Sequence, residues 1–198
     1  MVPIIATLKL SGLARIILAV IVLLSQVLGN APELEAQKSG IERTGDILQV
    51  VIPAVAFSAT VGNHDSEGRA QFVKSFLANF TVTALLKFVI AKERPDGTND
   101  RSMPSGHTST AFQGASFIHL RYGWEKGFPA YLGATFVGFS RVYADKHYVS
   151  DVVGGAAVGI LSSVLFTDRF ERLKVTPVAG EGRGEGRYGV QVRLSLLH

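Results

Sequence analysis

The sequence predicts an all-α fold: a bundle of about six helices embedded in a membrane, with its polar motifs gathered at one end and a short extended tail at the C-terminus. Apolar residues make up 47% of the 198 residues, and they fall in separate runs divided by polar loops that contain Gly, Pro, Asp or Asn. None of these runs alternates with the period of two that a half-buried strand requires, so helices are expected throughout.

Six apolar stretches define the expected helices. They are Ile16–Leu24, Ile47–Gly62, Phe72–Ala91, His107–Leu120, Phe128–Ser140 and Val152–Phe166. Within the fourth stretch, Ala111, Ala115 and Ile118 form an apolar stripe at helical spacing. Within the last, Gly155 and Gly159 are two small residues four apart, a pair that permits close contact with a neighbouring helix.

The N-terminal residues 1–31 have two interpretations. Lys9 and Arg15 precede the first apolar run, and Gly29-Asn30-Ala31 follows it, which is typical of a signal peptide with a small-residue cleavage site. The segment Ile16–Pro32 is also uncharged over 17 residues, as a first transmembrane helix would be. The predicted division is therefore residues 1–31 as signal peptide or first transmembrane helix, 32–170 as helical domain and 171–198 as basic, Gly-rich tail.

The distribution of Lys and Arg favours a membrane protein. Several apolar stretches are short for a span, and Phe72–Ala91 contains Lys74 and Lys87, which would also suit a soluble helical domain behind a signal peptide. With six spans and the N-terminus inside, however, twelve Lys and Arg residues lie inside, seven lie outside, and Lys87 lies within a span. This is the bias of the positive-inside rule. We therefore predict a cell-envelope protein integral to the inner membrane, with its polar motifs facing the periplasm or the outside, and a soluble periplasmic or secreted protein as the alternative.

Composition excludes several kinds of site and partner. The chain has no cysteine, so disulfides and zinc–thiolate centres are excluded. Its net charge is +4, and the basic residues are dispersed rather than interleaved with aromatic residues, so no nucleic acid is expected as a partner. In the tail, Gly180–Arg187 reads as a flexible repetitive linker, and residues 188–196 alternate like a short strand.

The first polar motif is Lys87, six intervening residues, and then Arg94-Pro95. Lys87 and Arg94 are seven residues apart, which is two helical turns, so they are expected on the same face of a helix. Two cations on one face suit an oxyanion, although basic residues near a helix C-terminus also complement the helix dipole.

The second motif is Pro104-Ser105-Gly106-His107-Thr108. A glycine just before a helix lets backbone amides approach an anion, and the helix N-terminus favours negative charge. Ser105 would equally suit an ordinary helix cap. His107 at the start of the helix could give a proton to a leaving group.

The third motif is Ser140-Arg141, then His147, then Asp151. His147 and Asp151 are four residues apart and would share a face of a helix. A carboxylate there can hold the imidazole in one tautomer, as a histidine nucleophile requires. A histidine and an aspartate at a solvated helix end would show the same spacing.

Together the three motifs, in this order and with these internal spacings, resemble the signature of the type-2 phosphatidic acid phosphatases. That superfamily also includes the bacterial class A acid phosphatases and the vanadium haloperoxidases. The resemblance covers about Phe72 to Phe166, half of the chain. It implies an all-α bundle with the active site at one end.

The resemblance also implies which residues bind phosphate. Lys87, Arg94 and Arg141 would bind the phosphoryl oxygens, and Ser105 with the Gly106 amide would complete the cradle. Phosphoryl transfer spreads charge over three equatorial oxygens, so fixed cations can supply what a metal ion supplies elsewhere. We therefore expect no metal and no other cofactor.

The catalytic roles follow from the same resemblance. His147 would attack phosphorus, Asp151 would orient His147, and His107 would be the general acid that protonates the leaving oxygen. The reaction would proceed in two steps, through phosphohistidine and then water.

Three functions are open at this point. Apolar helices around the motifs favour a phosphatase of an envelope lipid: phosphatidate, phosphatidylglycerophosphate, a polyprenyl diphosphate or a lipid A phosphate. The predicted partners are then a phosphorylated lipid and the membrane. The signal-like N-terminus and the short apolar stretches favour a secreted, soluble acid phosphatase of broad specificity. A vanadium haloperoxidase is the remote alternative, because those chains are usually much longer.

Overall fold

The computed structural model describes residues 35–170, 173–180 and 187–194. Five helices follow one another: α1 (Glu35–Gly62), α2 (Ser66–Ile90), α3 (Gly106–Tyr122), α4 (Trp124–Tyr143) and α5 (Val149–Phe166). Two strands follow them, β1 (Leu173–Gly180) and β2 (Arg187–Leu194). The predicted signal peptide or first transmembrane helix lies outside the described residues, and the three-part division of the chain stays a prediction.

The apolar stretches from Ile47 onward all form helices, which confirms the all-α bundle. Polar residues fix where two of the helices begin. The Asp65 carboxylate accepts a hydrogen bond from the Gly68 amide at the start of α2, and Ser105 caps α3. α1 differs most from expectation, because it begins at Glu35 and carries three polar turns ahead of its apolar stretch.

α3 is the central helix and packs against each of the other four. Ala111, Ala115 and Phe117 on α3 are fully buried, and Ile118 is almost so, which confirms the predicted apolar stripe. Ala111 and Ala115 pack with Ile52 of α1 and with the buried face of α4. Small side chains on α3 thus let its neighbours approach closely enough to form one core.

The predicted glycine pair brings α5 against α3. A Cβ atom at Gly155 would overlap the Ser105 carbonyl oxygen, and one at Gly159 would overlap the Ser109 carbonyl oxygen. The Ser105 amide also donates a hydrogen bond to the Asp151 carbonyl oxygen at 2.9 Å. The start of α5 is therefore fixed beside the start of α3, where the second and third motifs lie.

Three helical segments are long and apolar enough to cross a membrane: Ser39–Gly62 in α1, α2 and α5. Their outward faces are apolar, as Phe80 and Phe88 of α2 show with exposed fractions of 67% and 82%. Large apolar side chains exposed in such numbers mark a surface that contacts something other than water. This pattern indicates a bundle whose flanks face lipid.

A buried ion pair holds the end of the bundle opposite to the motifs. Arg121 in the last turn of α3 donates to both carboxylate oxygens of Asp65 (2.6 and 2.7 Å) and to the Asp168 carbonyl oxygen (2.9 Å). Burial alone would raise the pKa of Asp65, but hydrogen bonds from Arg121, the Gly68 amide and Tyr122 lower it below its usual value. The pair ties the α1–α2 turn, the end of α3 and the residues after α5 together.

The C-terminal tail contains an antiparallel hairpin. Leu173 of β1 pairs with Leu194 of β2, and Gly180 pairs with Arg187. β2 covers most of the residues whose alternation indicated a strand. The pairing strand β1 was not predicted, because Pro177 within it cannot donate a hydrogen bond to a partner strand and weakens the strand signal.

Candidate active site

Polar residues from several segments meet at the end of the bundle where α1, α3 and α5 begin and α2 and α4 end. A cavity of about 340 Å³ opens there. It is lined by Glu42, Asp46, Arg94, Thr98, Asn99, His107, Arg141, Lys146 and His147. Two histidines and two arginines of the predicted site therefore face one cavity.

Lys87 and Arg94 do not share a helical face, and that expectation was wrong. α2 ends at Ile90, and Ala91 adopts a left-handed conformation (φ 45°), so Arg94 lies in the following loop. A regular helix could not have continued through Arg94, because Pro95 disfavours the helical conformation at the residue before it. Lys87 stays on the last turn of α2, where its Nζ donates to the Arg101 carbonyl oxygen at 2.8 Å.

The α2–α3 loop holds Arg94 at the cavity. The Arg94 amide donates to the Asn99 carbonyl oxygen (2.9 Å), and its Nε donates to Asn99 Oδ1 (3.0 Å). Asp96 forms an ion pair with Lys146 at 3.0 Å, which joins the loop to the segment after α4. Hydrogen bonds from Thr98 and then from Lys146 lower the pKa of Asp96 well below its usual value. The rim of the cavity is therefore polar and carries charges of both signs.

The second motif forms the start of α3. Ser105 is fully buried, and its hydroxyl oxygen accepts a hydrogen bond from Thr108 Oγ1 at 3.0 Å. It caps the helix, so its part in a phosphate cradle, like that of the Gly106 amide, stays a prediction. His107 is the second residue of α3, and its half-buried side chain lines the cavity. The N-terminus of α3 therefore directs the amides of its first turn toward this end of the bundle, where an anion would be favoured.

His147 and Asp151 are brought together by a helix cap, and the expected shared helical face was wrong. His147 precedes α5, which begins only at Val149. Asp151 is the third residue of α5, and its Oδ2 accepts a hydrogen bond from the Tyr148 amide at 2.9 Å, as in a capping box. This cap turns the carboxylate back toward His147, whose Nδ1 lies 3.8 Å from Asp151 Oδ2.

Two further residues surround Asp151. Ser102 Oγ donates to Asp151 Oδ2 at 2.5 Å and lies 3.4 Å from His147 Nδ1, so the hydroxyl sits between the two side chains. Lys92 Nζ contacts Asp151 Oδ1 at 2.7 Å and lies 4.4 Å from the centre of the Tyr148 ring. With Nδ1 directed at Ser102 and Asp151, Nε2 is the His147 nitrogen that can carry a reactive lone pair.

The surroundings of His147 keep its ring uncharged. Its side chain is 3% exposed. Burial and then the positive charges of Arg94 and Lys87 lower the pKa of His147 to about 4, although Asp151 opposes the shift. At neutral pH the ring is therefore in the form that a nucleophile requires.

Arg141 lies at the end of α4 and is held by α1. Its Nη1 donates to Asp46 Oδ1 (2.7 Å), its Nη2 to the Glu42 carbonyl oxygen (2.5 Å) and its Nε to Ser140 Oγ (3.2 Å). A guanidinium group has five N–H donors, so these contacts leave two for an anion in the cavity. Asp46 Oδ1 also lies 3.0 Å from His107 Nε2.

Among the residues whose side chains or carbonyl groups contact the predicted site residues, Asp46, Glu42, Ser102 and Lys92 were not predicted. Ser102 and Lys92 lie two residues before Pro104 and Arg94, and this closeness to a motif was the only signal that could have indicated them. Asp46 and Glu42 lie far from every motif in the sequence. Among residues 39–170, no group of three or more His, Asp or Glu side chains is arranged to hold a metal ion.

Comparison with known proteins gives one family and several relatives. Residues 68–174 match the sequence model of the PAP2 superfamily. Over 78 residues the chain is 47% identical to a lipid A 1-phosphatase of Porphyromonas gingivalis, which covers 38% of this chain and 18% of that protein. Over 164 residues it is 29% identical to a lipid A 4'-phosphatase of Helicobacter pylori, which covers 76% of this chain and 82% of that protein. The chain thus spans under a fifth of the first relative and most of the second.

Two crystal structures share the fold. LpxE of Aquifex aeolicus superposes with a TM-score of 0.57 at 19% identity, over 73% of this chain and 92% of that one. The first transmembrane PAP2-type phosphatidylglycerolphosphate phosphatase of Bacillus subtilis superposes with a TM-score of 0.51 at 26% identity, over 77% of this chain and 84% of that one. The helical bundle described above is therefore an arrangement that a transmembrane PAP2-type phosphatase also adopts.

Proposed function

This chain belongs to the PAP2 superfamily, and we propose that it is a membrane phosphatase that removes a phosphate from a lipid A-type glycolipid through a phosphohistidine on His147. Membership of the superfamily, together with relatives that are lipid phosphatases by name, supports a lipid phosphatase. The relatives in Porphyromonas gingivalis and Helicobacter pylori are named for the 1- and the 4'-phosphate of lipid A. The convergence of two histidines and two arginines on one cavity is the observation that carries the proposal.

In the first step His147 displaces the lipid. The Nε2 lone pair attacks phosphorus, a P–N bond forms, and the P–O bond to the sugar breaks with its electron pair moving to the departing oxygen. His107 gives that oxygen a proton, so the lipid leaves as an alcohol. Asp151 and Ser102 hold the His147 ring at Nδ1 while its charge increases.

In the second step water displaces His147. His107, now neutral, accepts a proton from the water as its oxygen bonds to phosphorus. The P–N bond breaks, its electron pair returns to Nε2, and inorganic phosphate leaves. One displacement is thereby divided into two easier ones.

The proposed phosphate ligands are the cations Lys87, Arg94 and Arg141. Arg94 and Arg141 line the cavity, and Lys87 lies beside Gly106 at its edge, with the Lys87 Cε within 3.7 Å of where a Cβ of residue 106 would lie. Fixed positive charges around the equatorial oxygens stabilise the transition state. On this proposal chelators leave turnover unchanged.

An apolar groove beside the cavity suits the acyl chains of a lipid substrate. It lies between α1 and α2 over α3, has a volume of about 290 Å³, and includes Phe80, Ala84, Lys87 and His107 among its lining residues. Through shared residues it adjoins a second apolar groove of about 370 Å³ that continues along the same helices. A phosphate at His107 would therefore place its acyl chains along the lipid-facing side of the bundle.

The orientation in the membrane follows from the charge at the two ends. Arg69, Lys74, Arg121 and Lys126 lie at the end of the bundle opposite to the cavity. The six-span prediction assigns Lys9, Arg15 and the six Lys and Arg residues after Phe166 to the same side, which makes twelve there against seven on the cavity side. By the positive-inside rule that end faces the cytoplasm. The cavity then opens to the periplasm, where the phosphates of a lipid A-type molecule in the outer leaflet would be accessible.

The test is a substrate comparison with the full chain purified in detergent. We expect lipid A bisphosphate to lose one phosphate, which mass spectrometry would detect. Its kcat/KM should be higher than that of phosphatidylglycerophosphate or phosphatidate. EDTA should leave the rate unchanged. His147→Ala should abolish turnover, whereas His64→Asn, which changes an exposed histidine at the opposite end, should not.

Each part of this comparison has a result that would contradict the proposal. Preference for phosphatidylglycerophosphate would replace the glycolipid by a glycerolipid as the substrate. Loss of activity in EDTA with recovery in Mg²⁺ would contradict catalysis by side-chain cations alone. Turnover by His147→Ala at a tenth of the wild-type rate would show that His147 is not the nucleophile.

A further inference from the structure

Asp46 joins two residues of the active site, although no motif includes it. It lies on α1, 22 residues before residue 68, where the match to the superfamily begins. Its Oδ1 lies 3.0 Å from His107 Nε2 and 2.7 Å from Arg141 Nη1. One carboxylate oxygen therefore contacts both the predicted general acid and a predicted phosphate ligand.

The packing of α1 against α4 explains this position. A Cβ atom at Gly45 would overlap Ser140 Oγ, and it would lie 2.9 Å from Arg141 Nη2. Only glycine lets the first turns of α1 approach the end of α4 this closely. The next residue, Asp46, is thereby placed between Arg141 and His107, with its side chain 45% exposed toward the cavity.

Most of the other charges around His107 are positive. The titratable and charged groups that face it are Arg94 from the α2–α3 loop, Arg141 from α4, Lys146 and His147 from the segment after α4, Lys87 from α2 and Glu42 from α1. Cations near an imidazole disfavour its protonated form, as does burial. Burial and then Arg141 lower the pKa of His107 below its usual value, whereas Asp46 opposes that shift. A general acid must nevertheless carry its proton when the substrate is bound, and Asp46 is the carboxylate in contact with the ring.

We propose that Asp46 is a positioning residue that favours the protonated form of His107 and directs its Nδ1–H at the leaving oxygen. The proposal rests on the proposed function. With Nε2–H donated to Asp46 Oδ1, the proton that can be transferred is the one on Nδ1. The carboxylate stabilises the imidazolium and fixes the ring rotation at the same time.

The proton balance of the step is as follows. As the P–O bond breaks, its electron pair moves to the leaving oxygen, which takes the proton from His107 Nδ1. The imidazolium becomes neutral imidazole, still bonded through Nε2–H to Asp46, which stays ionised. When water attacks the phosphohistidine, Nδ1 accepts a proton from it and the starting state returns.

Asp46→Asn tests this role, because it removes the charge and keeps the shape. Both an alkyl phosphate and a nitrophenyl phosphate depend on Arg141, so any disturbance of that arginine lowers both rates alike. Only the alkyl phosphate needs a proton on its leaving oxygen. We expect its kcat/KM to fall at least about tenfold further than that of the nitrophenyl ester, since a general acid is typically worth about 10²–10⁴-fold.

The pH dependence of kcat gives a second test with the same variant. The alkaline limb of kcat reports loss of the His107 proton in the substrate complex. Without the carboxylate the imidazolium is less stable, so this limb should move to lower pH in Asp46→Asn. Asp100→Asn makes the same change of charge on an exposed loop and should move neither the limb nor the ratio of the two rates.

The outcomes separate this proposal from the proposed function. Equal losses on both esters with an unmoved alkaline limb would show that Asp46 serves Arg141 alone, and would overturn the role at His107. Asp46→Glu keeps the charge and should keep the wild-type ratio of the two rates; a fall in that ratio would overturn the role even where Asp46→Asn cannot be purified. A wild-type protein that removes no phosphate from lipid A bisphosphate, phosphatidylglycerophosphate or phosphatidate would refute the proposed function itself.

Discussion

His147 and His107 line the same cavity but meet different carboxylates and different amounts of solvent. His147 is almost completely buried, and its Nδ1 faces Ser102 and Asp151. His107 is more exposed, and its Nε2 faces Asp46. In the proposed mechanism these unlike environments suit unlike roles, with His147 as the nucleophile and His107 as the proton donor.

At the scale of single residues, the low pKa of His147 predicts the acidic limb of activity. Because the pKa is lowered to about 4, the ring stays neutral and nucleophilic as the pH falls from 7 toward that value. It loses activity only when it becomes protonated near pH 4. We expect kcat/KM for a nitrophenyl phosphate, corrected for ionisation of the substrate, to fall below about pH 4.

Arg94→Gln provides the internal check on that limb. It removes a positive charge that lowers the pKa of His147, so the acidic limb should move to higher pH. Arg101→Gln changes an exposed loop arginine and should leave the limb where it is. An acidic limb between pH 6 and 7 in the wild type, the range of an unperturbed histidine, would contradict the described burial of His147.

The sequence predicted the motif residues at this scale but not their partners. The spacing of motif residues is local and could be read along the chain. Asp46 and Arg141 are 95 residues apart, and only the packing of α1 on α4 brings them together. Aspartate on a polar helix start is otherwise an ordinary surface residue, so its residue type gave no signal.

At the scale of elements, apolar runs predicted which segments are helical, whereas individual polar and capping residues determined where each helix begins and ends. α2 stops at Ile90, short of Arg94, and α5 starts after His147. Arg94 and His147 therefore lie on the segments that join helices, and the capping carboxylate of Asp151 turns back from the first turn of α5 toward His147. The sequence could not separate this arrangement from a shared helical face, since both have the same spacing.

The close approach of α5 to α3 predicts that Gly159→Val destabilises the bundle. A side chain there would overlap the Ser109 carbonyl oxygen, and forcing added atoms into a packed interface typically costs about 1–3 kcal/mol. We expect a lower Tm in detergent and lower activity, because α5 carries Asp151.

Gly40→Ala is the matched control on α1. A Cβ atom there would contact nothing within 4 Å, so the change should leave stability unchanged or raise it by up to about 1 kcal/mol through helix propensity. Equal Tm values for Gly159→Val and the wild type would show that α5 and α3 lie farther apart than described.

At the scale of the whole molecule, the alternating direction of successive helices explains why the site forms at one end of the bundle. Successive helices run in opposite directions, so the α2–α3 loop and the α4–α5 segment lie at the same end of the bundle as the start of α1. The Asp65–Arg121 pair closes the other end. The order of the motifs relative to the apolar runs was sufficient to predict this gathering. The hairpin of β1 and β2 could not be predicted in this way, because its strand pairing does not follow from helix packing.

The measurement that tests phosphohistidine formation most directly is trapping of the intermediate in His107→Ala. A nitrophenyl phosphate can phosphorylate His147 without a general acid, whereas water needs His107 as a general base to remove the phosphoryl group. The variant should therefore accumulate a phosphoryl label that is acid-labile, base-stable and located on His147 by mass spectrometry. The label should be absent from His107→Ala/His147→Ala. A label on any other residue, or release of nitrophenol by His107→Ala with no label on the protein, would contradict the account.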